Sequence, residues 1–100
     1  MQHYILKDRK PVEADLMTWA RWLESNDRIV AKSEKDGVRV STVFIGTNAD
    51  ELFETMIFGG PEDQWQERCS TWDEAEAMHT VACELAGVHS PFAAKSPSDG

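Results

Sequence analysis

Apolar residues recur along the chain at two periods, and the switches between them lay out the elements. "HYILKD" (3–8) reads as a strand and "RKPVEA" (9–14) as a turn with a short extended return, because Pro11 has no N–H for a central ladder. Leu16, Trp19, Ala20 and Leu23 then repeat at helical spacing in "LMTWARWLES", with Arg21 and Glu24 outward and Asp15 placed to cap. On that reading Trp19 belongs to the core and Trp22 to its edge. Alternation returns in "RIVAKSE" (28–34) and "VRVSTVFIGT" (38–47), joined through Asp36-Gly37, a pair suited to the positive φ of a tight hairpin. "LFETMIF" (52–58) is a further β-run. "QWQERCS" (64–70), beyond the Gly59-Gly60-Pro61 turn, is a more polar, edge-like strand. The short connections favour an antiparallel meander, since a parallel crossover needs roughly a dozen residues or more.

"STWDEAEAMHTVACELAG" is a helix with both ends marked. A capping box runs from Ser70 to Asp73 or from Thr71 to Glu74, and Gly87 ends the helix. Asp73, Glu74 and Glu76 are first-turn charges favoured by the helix dipole. Trp72, Ala75, Met78, His79, Ala82 and Leu85 form the apolar face. The element order predicts one α+β domain over residues 1–90. In it an antiparallel sheet of four to five strands carries two helices on one face, and 91–100 form a frayed tail. One hundred residues allow one core and no second.

That arrangement leaves the other sheet face to account for. "VRVSTVFI" starts in alternation and then places Val43, Phe44 and Ile45 on both sides. "LFETMIF" does the same, with Leu52, Met56 and Phe58 to one side and Phe53 and Ile57 to the other. Two helices with one stripe each cover one face only, and a bare apolar face is larger than soluble monomers usually tolerate. The expectation is a homodimer packed sheet to sheet, with Val43, Ile45, Phe53 and Ile57 among its contacts. A strand bulge, or the tail folded back with Phe92 against the face, are the alternatives.

Charge narrows the function. The net charge is −8, and it is lopsided. Residues 1–45 hold eight Lys/Arg against seven Asp/Glu, whereas residues 46–100 hold two against eleven. Such a field repels nucleic acid and anionic membrane and steers basic protein surfaces inward, although solubility alone is the plainer reading. Asp50, Glu51 and Glu54, with Glu62, Asp63 and Glu67, are the candidate partner-binding acids. No apolar run approaches the roughly 20 residues of a membrane span. "MQHYILKDRK" has its charge after its short apolar run, which reads as a cytosolic first strand rather than a signal peptide. Cys69 and Cys83 have no framework spacing and are expected to be reduced.

Motifs for chemistry are scarce. The chain has no P-loop, dinucleotide fingerprint, CxxC or HExxH. His79 and Cys83 lie four apart on one helix, a zinc-compatible spacing to which Cys69 could add a third ligand, but no closed ligand set exists. A hydrogen-bonded core histidine is the stronger reading. Gly59-Gly60 is a turn and no phosphate cradle, because no helix or lysine follows it. Neither a catalytic residue, a metal nor a cofactor is expected.

At "DLMTWARW", "VRVSTVF" and "LFETMIFGGP" the chain resembles a family of small uncharacterised bacteriophage and prophage proteins, over about residues 2–85. The resemblance implies a phage origin and a small protein made in the host cytoplasm, and it brings no active site to carry over. Together with the acidic half, it points to a non-enzymatic inhibitor of a host defence complex, such as an anti-CRISPR protein acting on a CRISPR effector. The expected partner is a host protein or ribonucleoprotein with a basic surface, without direct contact to nucleic acid or membrane. A small phage enzyme using Trp, His79 and carboxylates, or a phage assembly or regulatory factor, are the alternatives.

Overall fold

The computed structural model describes residues 2–92. Of the expected tail, residues 93–100 lie outside the described residues. The elements run β1 (His3–Lys7), β2 (Lys10–Ala14), α1 (Leu16–Ser25), β3 (Ile29–Lys35), β4 (Val38–Phe44), β5 (Phe53–Phe58), β6 (Gln66–Cys69) and α2 (Trp72–Ala86). The fold is α+β, as expected, but the strands form two antiparallel sheets. β1 and β2 make a hairpin of their own, and β3-β4-β5-β6 form a four-stranded meander in chain order.

The two hairpin turns use the same backbone from different residues. Asp36 and Gly37 have φ of 51° and 82°; Asp8 and Arg9 have 51° and 68°. The first pair announces a two-residue turn, whereas Arg9 in the second takes the left-handed region without a glycine's freedom. Its guanidinium lies over the Trp72 ring, 4.9 Å from the centroid, tying the hairpin tip to the start of α2.

Both helix starts are capped from the chain. Asp15 accepts the Thr18 N–H at 2.8 Å, which holds its carboxyl below the usual range. Thr71 and Glu74 form the reciprocal capping box of α2, and Gly87 closes that helix at φ 74°.

α2 packs across all four strands of the large sheet, while α1 packs on β1. One core cluster holds Val40, Ile57, Ala82 and Cys83, with Val38, Trp65 and Ala86 against it. The other holds Phe44, Leu52, Phe53 and Ala75, flanked by Tyr4, Leu6, Trp22, Val30 and Trp72. Trp22, Phe44, Phe53 and Trp72 meet edge to face in sequence, at centroid separations of 5.6, 5.2 and 6.0 Å. Thus the hairpin, α1 and α2 all contribute to the same side of the large sheet.

The two helices follow the expected pattern only in part. Trp22 is the partly buried edge residue expected, packing edge to face on Phe44 at the margin of the second cluster. Trp19 is half-buried beside His3 and donates its indole N–H to the Ile45 carbonyl at 3.2 Å. Leu16 and Leu85 are about half exposed, and Cys83 takes the inward position on α2 instead of Leu85. The rotation of α1 follows from Gly46. Tyr4 donates to its carbonyl at 2.7 Å, and a Cβ there would lie 2.9 Å from the Trp19 indole nitrogen. Trp19 is therefore a rim anchor over a glycine that cannot carry a side chain.

Candidate partner-binding surface

Register decides which side of the large sheet each residue serves. Val40 pairs with Ile57, Thr42 with Thr55 and Phe44 with Phe53, and these six residues are fully buried under α2. The opposite face carries Arg39 beside Phe58, Ser41 beside Met56 and Val43 beside Glu54. Phe53 and Ile57 therefore cannot be contact residues of a second chain, because both already lie in the core. The reading of "LFETMIF" is inverted. β5 is apolar at both parities, so only its antiparallel register against β4 selects Phe53, Thr55 and Ile57 as inward.

Of the other two expected contacts, Val43 is on the open face and Ile45 is half-buried beyond the end of β4. A bulge does occur, but in β3: the register shifts between Ile29 and Ala31, and Val30 joins the second core cluster. Phe92 stands edge-on to the His79 ring at 5.8 Å, so it packs beside α2 rather than on the open face.

The six acidic candidates are not one patch. Arg68 reaches Glu54 at 3.0 Å and Glu51 at 3.6 Å, and Gln66 donates to Glu54 at 2.7 Å. These two carboxylates are thus partly neutralised. Asp63 accepts the Gly59 N–H at 2.6 Å and organises the β5–β6 turn that Glu62 shares. Asp50 and Glu51 precede β5 whereas Glu62 and Asp63 follow it, so the two groups are separated by about 20 Å of strand. Glu67 pairs with Thr55 on the edge strand β6 and so points to the helix side, opposite to Glu54. Asp50, Glu62 and Glu67 are exposed, and no ion pair is seen for them among the described residues.

α2 extends this acidity, with Asp73, Glu74, Glu76 and Glu84 and no Lys or Arg. Hydrogen bonds from Ser70 and Thr71 hold the Glu74 carboxyl below its usual range. Glu76 accepts the Trp72 indole N–H at 2.9 Å. Among the described residues from 46 onward, Arg68 is the sole Lys or Arg facing ten carboxylates.

The most polar buried group is His79, fully enclosed at the centre of the covered face. Its Nδ1 meets the Thr42 hydroxyl at 2.7 Å, and its Nε2 meets Ser33 at 2.9 Å. Thr42 in turn meets Thr55 at 2.5 Å. Burial pushes the imidazole down to about 4, well below its ordinary 6.5. A neutral ring in either tautomer satisfies the chain, because each hydroxyl can donate or accept. With both ring nitrogens engaged, the imidazole is spent on holding β3, β4 and β5 to α2. No cluster of three His, Cys, Asp or Glu suited to a metal occurs among the described residues. Cys69 and Cys83 are free thiols in different core clusters, and burial raises both above their ordinary range, Cys69 to about 11. Neither is a poised nucleophile.

Ser33, Thr42 and Thr55 were not legible as a unit. The usable signal is the period-two run Val40-Thr42-Phe44, since threonine's branched side chain suits a buried strand if its hydroxyl finds a partner. No helix among the described residues is long and apolar enough to cross a membrane. No protein-family model, curated protein or solved structure matches the chain.

Proposed function

We propose that this is a non-enzymatic binding protein that presents its acidic C-terminal half to a basic surface on a partner. The resemblance to phage proteins makes a host defence ribonucleoprotein, such as a CRISPR effector, the partner class; inhibition then follows from occupying a basic channel meant for nucleic acid. One observation carries the reading. The ten carboxylates of residues 46–92 face a single arginine, and that arginine is held by Glu51 and Glu54. The remaining acid is uncompensated, which favours steered encounter with a cation-rich surface. The enzyme alternative has less support, because His79, the base it would use, is fully enclosed with both ring nitrogens hydrogen-bonded to Ser33 and Thr42.

The test uses the intact protein and purified effector complexes from its host. Changing Asp50, Glu62 and Glu67 together to Lys should cut the association rate about tenfold or more at low salt, with circular dichroism unchanged. Added salt should slow the parent protein and leave the variant little affected. No association with any effector complex, or a rate indifferent to both changes, overturns the reading.

A further inference from the structure

We infer that the open face of the four-stranded sheet docks a second copy of this chain. Ile29 pairs with Val43 on that face, and Met56 and Phe58 continue the apolar strip along β5. Ile29 is 43% exposed; Val43, Met56 and Phe58 remain partly exposed although they sit on the two central strands. The hairpin, both helices and Phe92 all lie with the opposite side, so no described element covers this strip.

Charge selects the occupant. Register places Lys32, Arg39 and Arg68 on this face with Glu34 and Glu54, and Glu51 reaches Arg68 there, three cations against three carboxylates. The chain as a whole carries −8, so everywhere else holds the negative excess. A two-fold contact sets each patch against its own copy. Made through α2 or β6, it would oppose acid to acid; made through this face, it opposes a near-neutral rim around an apolar centre. Arg39 already lies 4.8 Å from the Phe58 ring, and Arg68 binds Glu54, so these two cations are engaged within the chain before docking.

The free edge of β3 is a poorer route to a dimer. A symmetric β3–β3 ladder centred on Lys32 would set two lysines opposite each other, and the bulge at Val30 would break its register. Face-to-face packing needs neither.

Sedimentation equilibrium of the full chain decides the matter. The parent should be dimeric at tens of micromolar, with a dissociation constant almost independent of salt, unlike binding to a basic partner. Val43→Glu should raise that constant about a hundredfold, by leaving a charge unpaired in a dry contact. Ile29→Asp, on the exposed edge, repeats the test should Val43→Glu fail to fold. A monomeric parent overturns the proposal, and a parent that dimerises only after removal of residues 93–100 assigns the face to that segment instead. Dimers that survive substitution at Val43 and Ile29 place the contact elsewhere.

Discussion

The two faces of the large sheet invert what their sequences advertise. The covered face carries three hydroxyl residues and a histidine at its centre, yet Ser33, Thr42, Thr55 and His79 are all buried. The open face has Val43, Met56 and Phe58 on its central strands, yet it remains in part accessible. Apolar character alone therefore does not say which side of this sheet is the core. What separates the faces is closure: every polar group on the covered side has a partner, with no buried side-chain nitrogen or oxygen left unsatisfied among the described residues.

The sharpest way to break this contrast is to truncate one aromatic on each face. Phe53→Ala should cost about 3–5 kcal/mol in urea denaturation, since it opens a cavity between Phe44, Trp72 and Ala75. Phe58→Ser on the open face should cost well under half as much. Equal losses would mean that both faces are core.

Acid acts on the covered face next. His79 has a folded value near 4 against an ordinary 6.5, so between those limits the unfolded chain binds the extra proton. Stability should be full above pH 6.5 and fall as pH drops towards 4, by up to about 3 kcal/mol. Denaturation midpoints across that range should show the slope, and His79→Gln should flatten it. An unchanged slope in the variant would place the titration on other groups.

The smallest effect belongs to the open face. Arg68→Ala removes an exposed pair with Glu51 and Glu54 and should change stability by roughly 0–1 kcal/mol. A loss several times larger would show that the rim braces the sheet.

Much of this architecture was legible, and the misses have physical causes. Asp36-Gly37, the capping box and Gly87 announced themselves because each requires a backbone geometry that few residues provide. The β1–β2 turn was legible from the extended return after it, but Asp8 and Arg9 carry no comparable signature, and nothing local says that this hairpin stands apart as a sheet of its own. Phe53 and Ile57 were placed outward because β5 is apolar at both parities, and pairing register is a long-range property that no local window contains. Trp22 is the partly buried edge residue expected, but Trp19, expected in the core, is only half-buried, for a similar reason: the determinant is Gly46, more than twenty residues away, whose missing side chain admits the Trp19 indole at the rim. The acidic candidates were correct as exposed carboxylates, apart from Glu54, which is largely covered. Asp50 and Glu51 lie at one end of β5 and Glu62 and Asp63 at the other, as two candidate patches would, whereas Glu67 leaves the second group by facing the side of the sheet opposite to Glu54.

The meander order has a consequence for synthesis. Each strand of the large sheet bonds only to its neighbours in the chain, so loops close cheaply and the sheet can zip up in the order in which it is made. Its lid is α2, the last of the described elements to appear. Between the emergence of β5 and the completion of α2 the ribosome adds some thirty residues, on the order of seconds of elongation. During that interval Val40, Phe44, Phe53 and Ile57 have no helix over them. This domain is at its most adhesive just before α2 is made, and the self-contained capping box that starts α2 shortens the wait.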